Sequence, residues 1–160
     1  MKLVLRLAHW YKQRPAWVAA VAVALLLTGC SSFHGQWKKA AAAPATGLEG
    51  AWEGTWLSHS NAHTGRLRAV VTRTAGGDYE TRFHATFWKL FSAGYTVTLH
   101  ATPRDGGWTL AGRENLGRWL FWNFGEYEYT GEATPERFDC TYRSQNDHGV
   151  FQLKRPAPRR

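Results

Sequence analysis

The sequence predicts an all-β domain, an antiparallel up-and-down barrel of about eight strands, preceded by a signal helix and a disordered linker. Three observations lead there. From Trp52 onward the apolar residues recur with period two rather than 3.6. Turn signals ("SNAHTG", "AGGD", "PRDGG", "TPE" and "QNDHG") punctuate the runs at short intervals. The stretch 48–155 is one domain's length and must supply one core. A consecutive sheet that closes on itself provides that core and hides its own edges.

The strands are expected at 50–58, 65–74, 78–88, 95–102, 107–113, 126–132, 136–144 and 149–155. In "DYETRFHATFW", Tyr79, Thr81, Phe83, Ala85 and Phe87 share a face opposite Asp78, Glu80, Arg82 and His84. "GYTVTLHAT" sets Tyr95, Val97, Leu99 and Ala101 against Thr96, Thr98 and His100. "EYEYTGE" and "RFDCTYR" place Tyr127, Tyr129, Phe138, Cys140 and Tyr142 on the inner face by the same alternation. With Trp56, Leu67, Val71 and Trp108, these make the expected interior. Cys140, in phase with two aromatics, reads as a buried thiol.

Before the barrel the pattern changes. Ala16 to Leu27 is an apolar run too short to span a bilayer, preceded by Lys2, Arg6, Lys12 and Arg14 with no acid. Leu27-Thr28-Gly29-Cys30 follows and resembles the bacterial lipobox. That resemblance implies cleavage of residues 1–29 and acylation of Cys30. It also implies a chain anchored in the membrane through several acyl chains. Ser31, in place of the aspartate of an inner-membrane retention signal, implies the outer membrane, with the protein on its periplasmic face. Residues 30–47, with "AAAAPATG" broken by Pro44 and lacking an apolar face, read as a flexible linker. Extended, that linker would reach about 55 Å. Residues 156–160 read as a disordered tail.

A second resemblance lies at the ends of the barrel domain. Gly50-Ala51-Trp52 resembles the G-x-W signature that opens the first strand of calycin barrels (lipocalins, fatty-acid-binding proteins, avidins). Arg155 resembles the basic residue that these barrels stack on that tryptophan from the last strand. The resemblance implies a calycin-like fold closed by Trp52 and Arg155. The T-D-Y motif of typical lipocalins is missing, and "TPERFDCTY" stands near its place.

The chain has a net charge of +8. The leader carries four of the 20 basic and none of the 12 acidic residues, so the mature chain has 16 against 12, a charge of +4. That surplus reads as scattered, and a periplasmic address excludes nucleic acid as a partner. His59 and His63, four apart in a turn, have the wrong setting for a metal pair. Ser144, Asp147 and His148 are too close in sequence to bridge one another as a triad. Glu80, Glu126, Glu128 and Glu132 fall on outer faces beside arginines such as Arg82 and Arg137. The sequence therefore reads as non-catalytic, without metal or cofactor.

Two aromatic clusters break the alternation, "FWKLFSAG" and "LGRWLFWNFG". They fit either a cover over the barrel mouth or a hydrophobic rim that meets lipid or a partner. The leading expectation is a module binding a small apolar or amphipathic ligand, lined by Trp56, Phe83, Phe87, Leu99, Trp108, Leu120, Trp122, Tyr127, Tyr129 and Tyr142. Its rival is an envelope interaction protein whose filled barrel contacts a protein or cell-wall partner. Whether the interior is hollow separates the two.

Overall fold

The computed structural model describes residues 32–87, 91–119, 122–123 and 125–157. The signal segment, Cys30, Trp88, Leu90 and Leu120 lie outside the described residues. The chain runs through β1 (Gly50–Ser58), β2 (Thr64–Arg73), β3 (Tyr79–Phe87), β4 (Phe91–Arg104) and β5 (Gly107–Asn115). Two short strands follow, β6 (Arg118–Trp119) and β7 (Trp122–Asn123), which pair with each other. The main run resumes with β8 (Glu126–Ala133), β9 (Arg137–Arg143) and β10 (His148–Lys154).

Eight of these strands close a barrel in the order β1-β10-β9-β8-β5-β4-β3-β2, antiparallel throughout. The expected all-β, calycin-like barrel is therefore the fold. Its strands match the predicted runs except at β4, which begins at Phe91 rather than 95. There Phe87 pairs with Phe91, and residues 91–94 are exposed on both faces. This end of the β3–β4 ribbon projects beyond the barrel, so "FSAG" has no buried face to impose an alternation.

The core follows the predicted phase. Leu67, Val71, Phe83, Val97, Leu99, Tyr129, Phe138, Cys140 and Tyr142 are buried, joined by Phe151 and Leu153 from β10. Glycines make room for the larger rings. A Cβ on Gly65 would stand 2.7 Å from Trp56 Nε1 and 1.9 Å from the carbonyl oxygen of Thr86. The bare backbone there lets the Trp56 indole donate to that carbonyl at 3.2 Å.

The stretch expected to be a flexible linker is helical over 32–42. Alanine is the best helix former, and Ala40–Ala43 continue the helix until Pro44 ends it. So short a helix is marginal alone. Trp37 holds it to the barrel. Its indole N–H donates to the Trp52 carbonyl at 3.0 Å, and Arg68 of β2 lies over its ring at 4.2 Å. Gln36 accepts from Arg82 at 2.7 Å. Phe33, one turn before Trp37 on the same helix, is buried as well. Residues Gly35–Arg160 form one compact unit that contains the whole barrel and its core, and so can fold by itself.

The floor is closed as the G-x-W resemblance implied. Trp52 is fully buried, its Nε1 donates to the Leu48 carbonyl at 3.0 Å, and the Arg155 guanidinium sits 3.6 Å from its ring centre. Arg155 donates to the carbonyls of Gly47 (2.6 Å), Glu49 (2.9 Å), Ala51 (3.4 Å) and Pro135 (3.0 Å). Burial lowers this guanidinium to about 10, still well above neutrality, so it remains a cation. Gly50 has φ +110°, and a Cβ there would meet Arg155 Nη1 at 3.2 Å, so only glycine fits.

Trp52→Ala should cost about 3–5 kcal/mol as a large core truncation. Arg155→Ala should cost less, and the double variant should fall short of the sum because the two side chains touch. Chemical denaturation of the four proteins of the cycle measures this. Strict additivity would mean that the stack contributes nothing beyond its parts.

Candidate functional site

Three places could hold chemistry: the barrel interior, the end of the barrel away from the floor, and the outer face beneath the helix. The interior is occupied by side chains. Phe83 meets the rings of Tyr95, Phe151 and Phe138 at 5.3, 5.4 and 6.4 Å, and Phe151 stacks on Tyr142 at 4.9 Å. Tyr127 lies 6.3 Å from Tyr129 and 6.0 Å from Tyr142. These spacings are ring-to-ring contact distances.

The residues expected to line a ligand site lie at different depths in the barrel. Trp56, Phe83, Leu99, Tyr129 and Tyr142 are core, while Phe87, Trp108 and Tyr127 are half-buried against it. Trp56 packs on Phe87 at 5.0 Å near the open end. Trp108, in contrast, starts β5 at the floor, with its indole beside Gly47. Trp122 lies in β7, where its backbone pairs with that of Trp119.

The end opposite the floor carries a polar knot centred on Asp147. Its carboxylate accepts from Ser58 Oγ at 2.6 Å and from the Tyr142 hydroxyl at 3.3 Å. Its backbone N–H donates to Ser144 Oγ at 3.0 Å, and Ser144 Oγ donates to its carbonyl at 3.1 Å. His148 turns the other way, pairing with Ser60 Oγ at 3.0 Å and meeting His59 edge-on at 5.8 Å. Asp147 is therefore committed to the turn and to a buried serine, and does not orient His148. Among the described residues, no three His, Cys, Asp or Glu side chains converge as metal ligands.

Burial raises the ionisation of the inner tyrosines, Tyr95, Tyr127, Tyr129 and Tyr142, above the usual phenolic value. The Tyr142 hydroxyl rests on Asp147 and that of Tyr127 on Ser144. Among the described residues, buried Thr81 Oγ1 lacks a hydrogen-bond partner. Burial pushes the Cys140 thiol up to about 12. Its Sγ donates only to the Thr141 carbonyl, at 3.4 Å. This is an inert thiol.

The outer face is different. A groove of about 900 Å³ runs between the helix and the strand-end tail, over β1 and β2. Its walls are small and apolar: Ala40–Ala43, Pro44, Ala51, Pro156 and Ala157. Its charged members are Lys38, Arg66, Arg68 and Arg155 against Glu53 alone. The sequence gave no sign of it, because it exists only once "KKAAAAP" is helical and docked. No family model, curated protein or solved structure matches this chain.

Burial of Cys140 and the tyrosines generates a pH prediction. Their folded ionisation lies above the unfolded value. The stability they contribute is therefore complete below about pH 9, and is lost as pH rises from there through about 12. Alkaline denaturation should start near pH 9, and Cys140→Ala should delay its onset. Ellman's reagent should label Cys140 only after unfolding. Rapid labelling of the folded protein would overturn the assigned register.

Proposed function

We propose that this chain is a lipid-anchored protein of the bacterial envelope, held through Cys30 at the periplasmic face of the outer membrane. Its barrel is a non-catalytic interaction module that meets an envelope partner, protein or cell wall, on its outer surface. The carrying observation is the interior. A ligand pocket needs roughly 300 Å³ or more, and here the rings of Phe83, Tyr129, Tyr142 and Phe151 are already in contact across the barrel. The lipobox-like Leu27-Thr28-Gly29-Cys30 supports the anchor. A small amphipathic ligand is the second reading, favoured by the inward hydroxyls of Tyr95 and Tyr129.

Growing cells with a labelled fatty acid should tag the protein, and Cys30→Ser should abolish both tag and processing. A tagged, membrane-bound Cys30→Ser protein would exclude the anchor. For the barrel, residues 35–160 titrated with a fluorescent fatty acid should show no saturable quenching of tryptophan. Saturable quenching that is lost on Tyr129→Phe would establish the second reading instead.

A further inference from the structure

The net charge of the mature chain, scattered in sequence, is sorted by the fold. Lys38, Lys39, Arg66, Arg68, Arg82 and Lys154 stand on the side formed by the helix, β1–β3 and β10, facing few acids besides Glu53 and Glu80. On the opposite side most bases are neutralised in pairs, Arg104 with Glu132, Arg113 with Glu126 and Glu128, and Arg137 with Asp139, and Arg143 stands without an ion pair among the described residues. Among the described residues, Lys38, Lys39, Arg66 and Lys154 have no ion-pair partner. The apolar-walled groove opens on the basic side.

Chain length ties this side to the membrane. Cys30 precedes Gly35 by five residues, a span of at most about 18 Å even when fully extended. A flexible tether of the full 30–47 stretch would have let the barrel wander. The helix removes most of that freedom, because Trp37 fixes it to β1 and β2. The face nearest the anchor is therefore the face with the surplus cations. Basic residues beside an anchor are attracted to anionic lipid, and guanidinium forks suit phosphate.

We propose that the groove binds the headgroup of an anionic phospholipid, so that the barrel lies with its helix-bearing side against the membrane that holds Cys30. Lys38 and Arg66 meet the phosphate. The alanine and proline walls take the glycerol and the first methylenes of the acyl chains. Arg68 and Arg155, engaged on Trp37 and on the floor carbonyls, supply field rather than direct contacts. This orientation rests on the anchored reading, but the lipid site itself does not.

The test uses residues 35–160, which carry the whole compact unit but no anchor. Flotation should show binding to vesicles of phosphatidylcholine with one third phosphatidylglycerol, and at least tenfold weaker binding to phosphatidylcholine alone. Lys38→Glu with Arg66→Glu should abolish binding, while Arg143→Glu, exposed on β9 across the barrel, should leave it within about twofold. Ala41→Phe fills the groove without changing charge and should weaken binding at least fivefold. Circular dichroism establishes that each variant is folded; if Ala41→Phe unfolds, Ala41→Leu takes its place. Equal binding to both vesicle types would overturn the proposal, as would indifference to Lys38→Glu with Arg66→Glu or to a folded groove-filling variant. If Cys30 proves unacylated in cells but the vesicles still bind, only the anchored reading falls. If Cys30 is acylated and the vesicles do not bind, only the groove proposal falls.

Discussion

The Arg155 guanidinium on the Trp52 ring is the contact on which the rest of the architecture depends. A cation placed 3.6 Å over an indole, out of bulk water, is stabilised only if its N–H groups find acceptors. They find four backbone carbonyls, from Gly47, Glu49, Ala51 and Pro135. Those carbonyls belong to the segment entering β1, to β1 itself and to the turn between β8 and β9, so one side chain just after β10 joins the first strand to the last and to its neighbour β9. Trp52 then links outward. Its N–H reaches the Leu48 carbonyl, and its own carbonyl accepts from Trp37 of the helix. Floor, seam and helix are consequently one connected structure.

From that floor upward the interior is a problem of volume. Eight strands fix the barrel's width, and side chains then decide whether the space is filled. Here the fill comes from rings, with glycine opposite them: Gly65 beside Trp56, and Gly149 beside the Tyr142 hydroxyl. Packing so many tyrosines inward carries a cost in hydroxyls, met in part by Asp147 and Ser144 at the open end. Asp147 thereby serves as the clasp between β1 and the β9–β10 turn.

Much of this was legible in the sequence, because a half-buried antiparallel strand writes its register directly as alternation. Tyr79 to Phe87 and Phe138 to Tyr142 could be assigned inner and outer faces without a structure. The floor was legible too, since Gly50, Trp52 and Arg155 carry a recognisable pattern. The helix was not. Its large buried side chains are two, Phe33 and Trp37, too few to write a helical period, and polyalanine beside a proline has the composition of a linker as much as that of a helix. The groove and the sorting of charge were hidden for another reason. Arg66, Arg82 and Lys38 are remote in sequence and become neighbours only through pairings such as Val70 with Arg82, and through the docked helix. Alternation also gives a residue's face but not its height along the barrel. Trp108 lies at the floor and Trp56 near the opposite end.

Inner rings in contact with one another turn the question of function to the barrel's surface, where the two sides of this molecule differ in kind. On the side of β4, β5, β8 and β9, Arg104 and Arg113 are matched with carboxylates of β8, an arrangement that folding alone accounts for through cross-strand pairing. Unmatched bases on the helix side repel one another and add nothing to the fold. Such repulsion is offset when an anionic surface lies against it. The helix makes that geometry attainable, since it shortens the path from Cys30 and presents Lys38 and Lys39 beside Arg66. In the proposed arrangement membrane, helix and basic face act together, with the anchor supplying proximity and the charges supplying orientation. That arrangement would leave the mostly paired side of the barrel facing away from the bilayer, where an envelope partner would meet it.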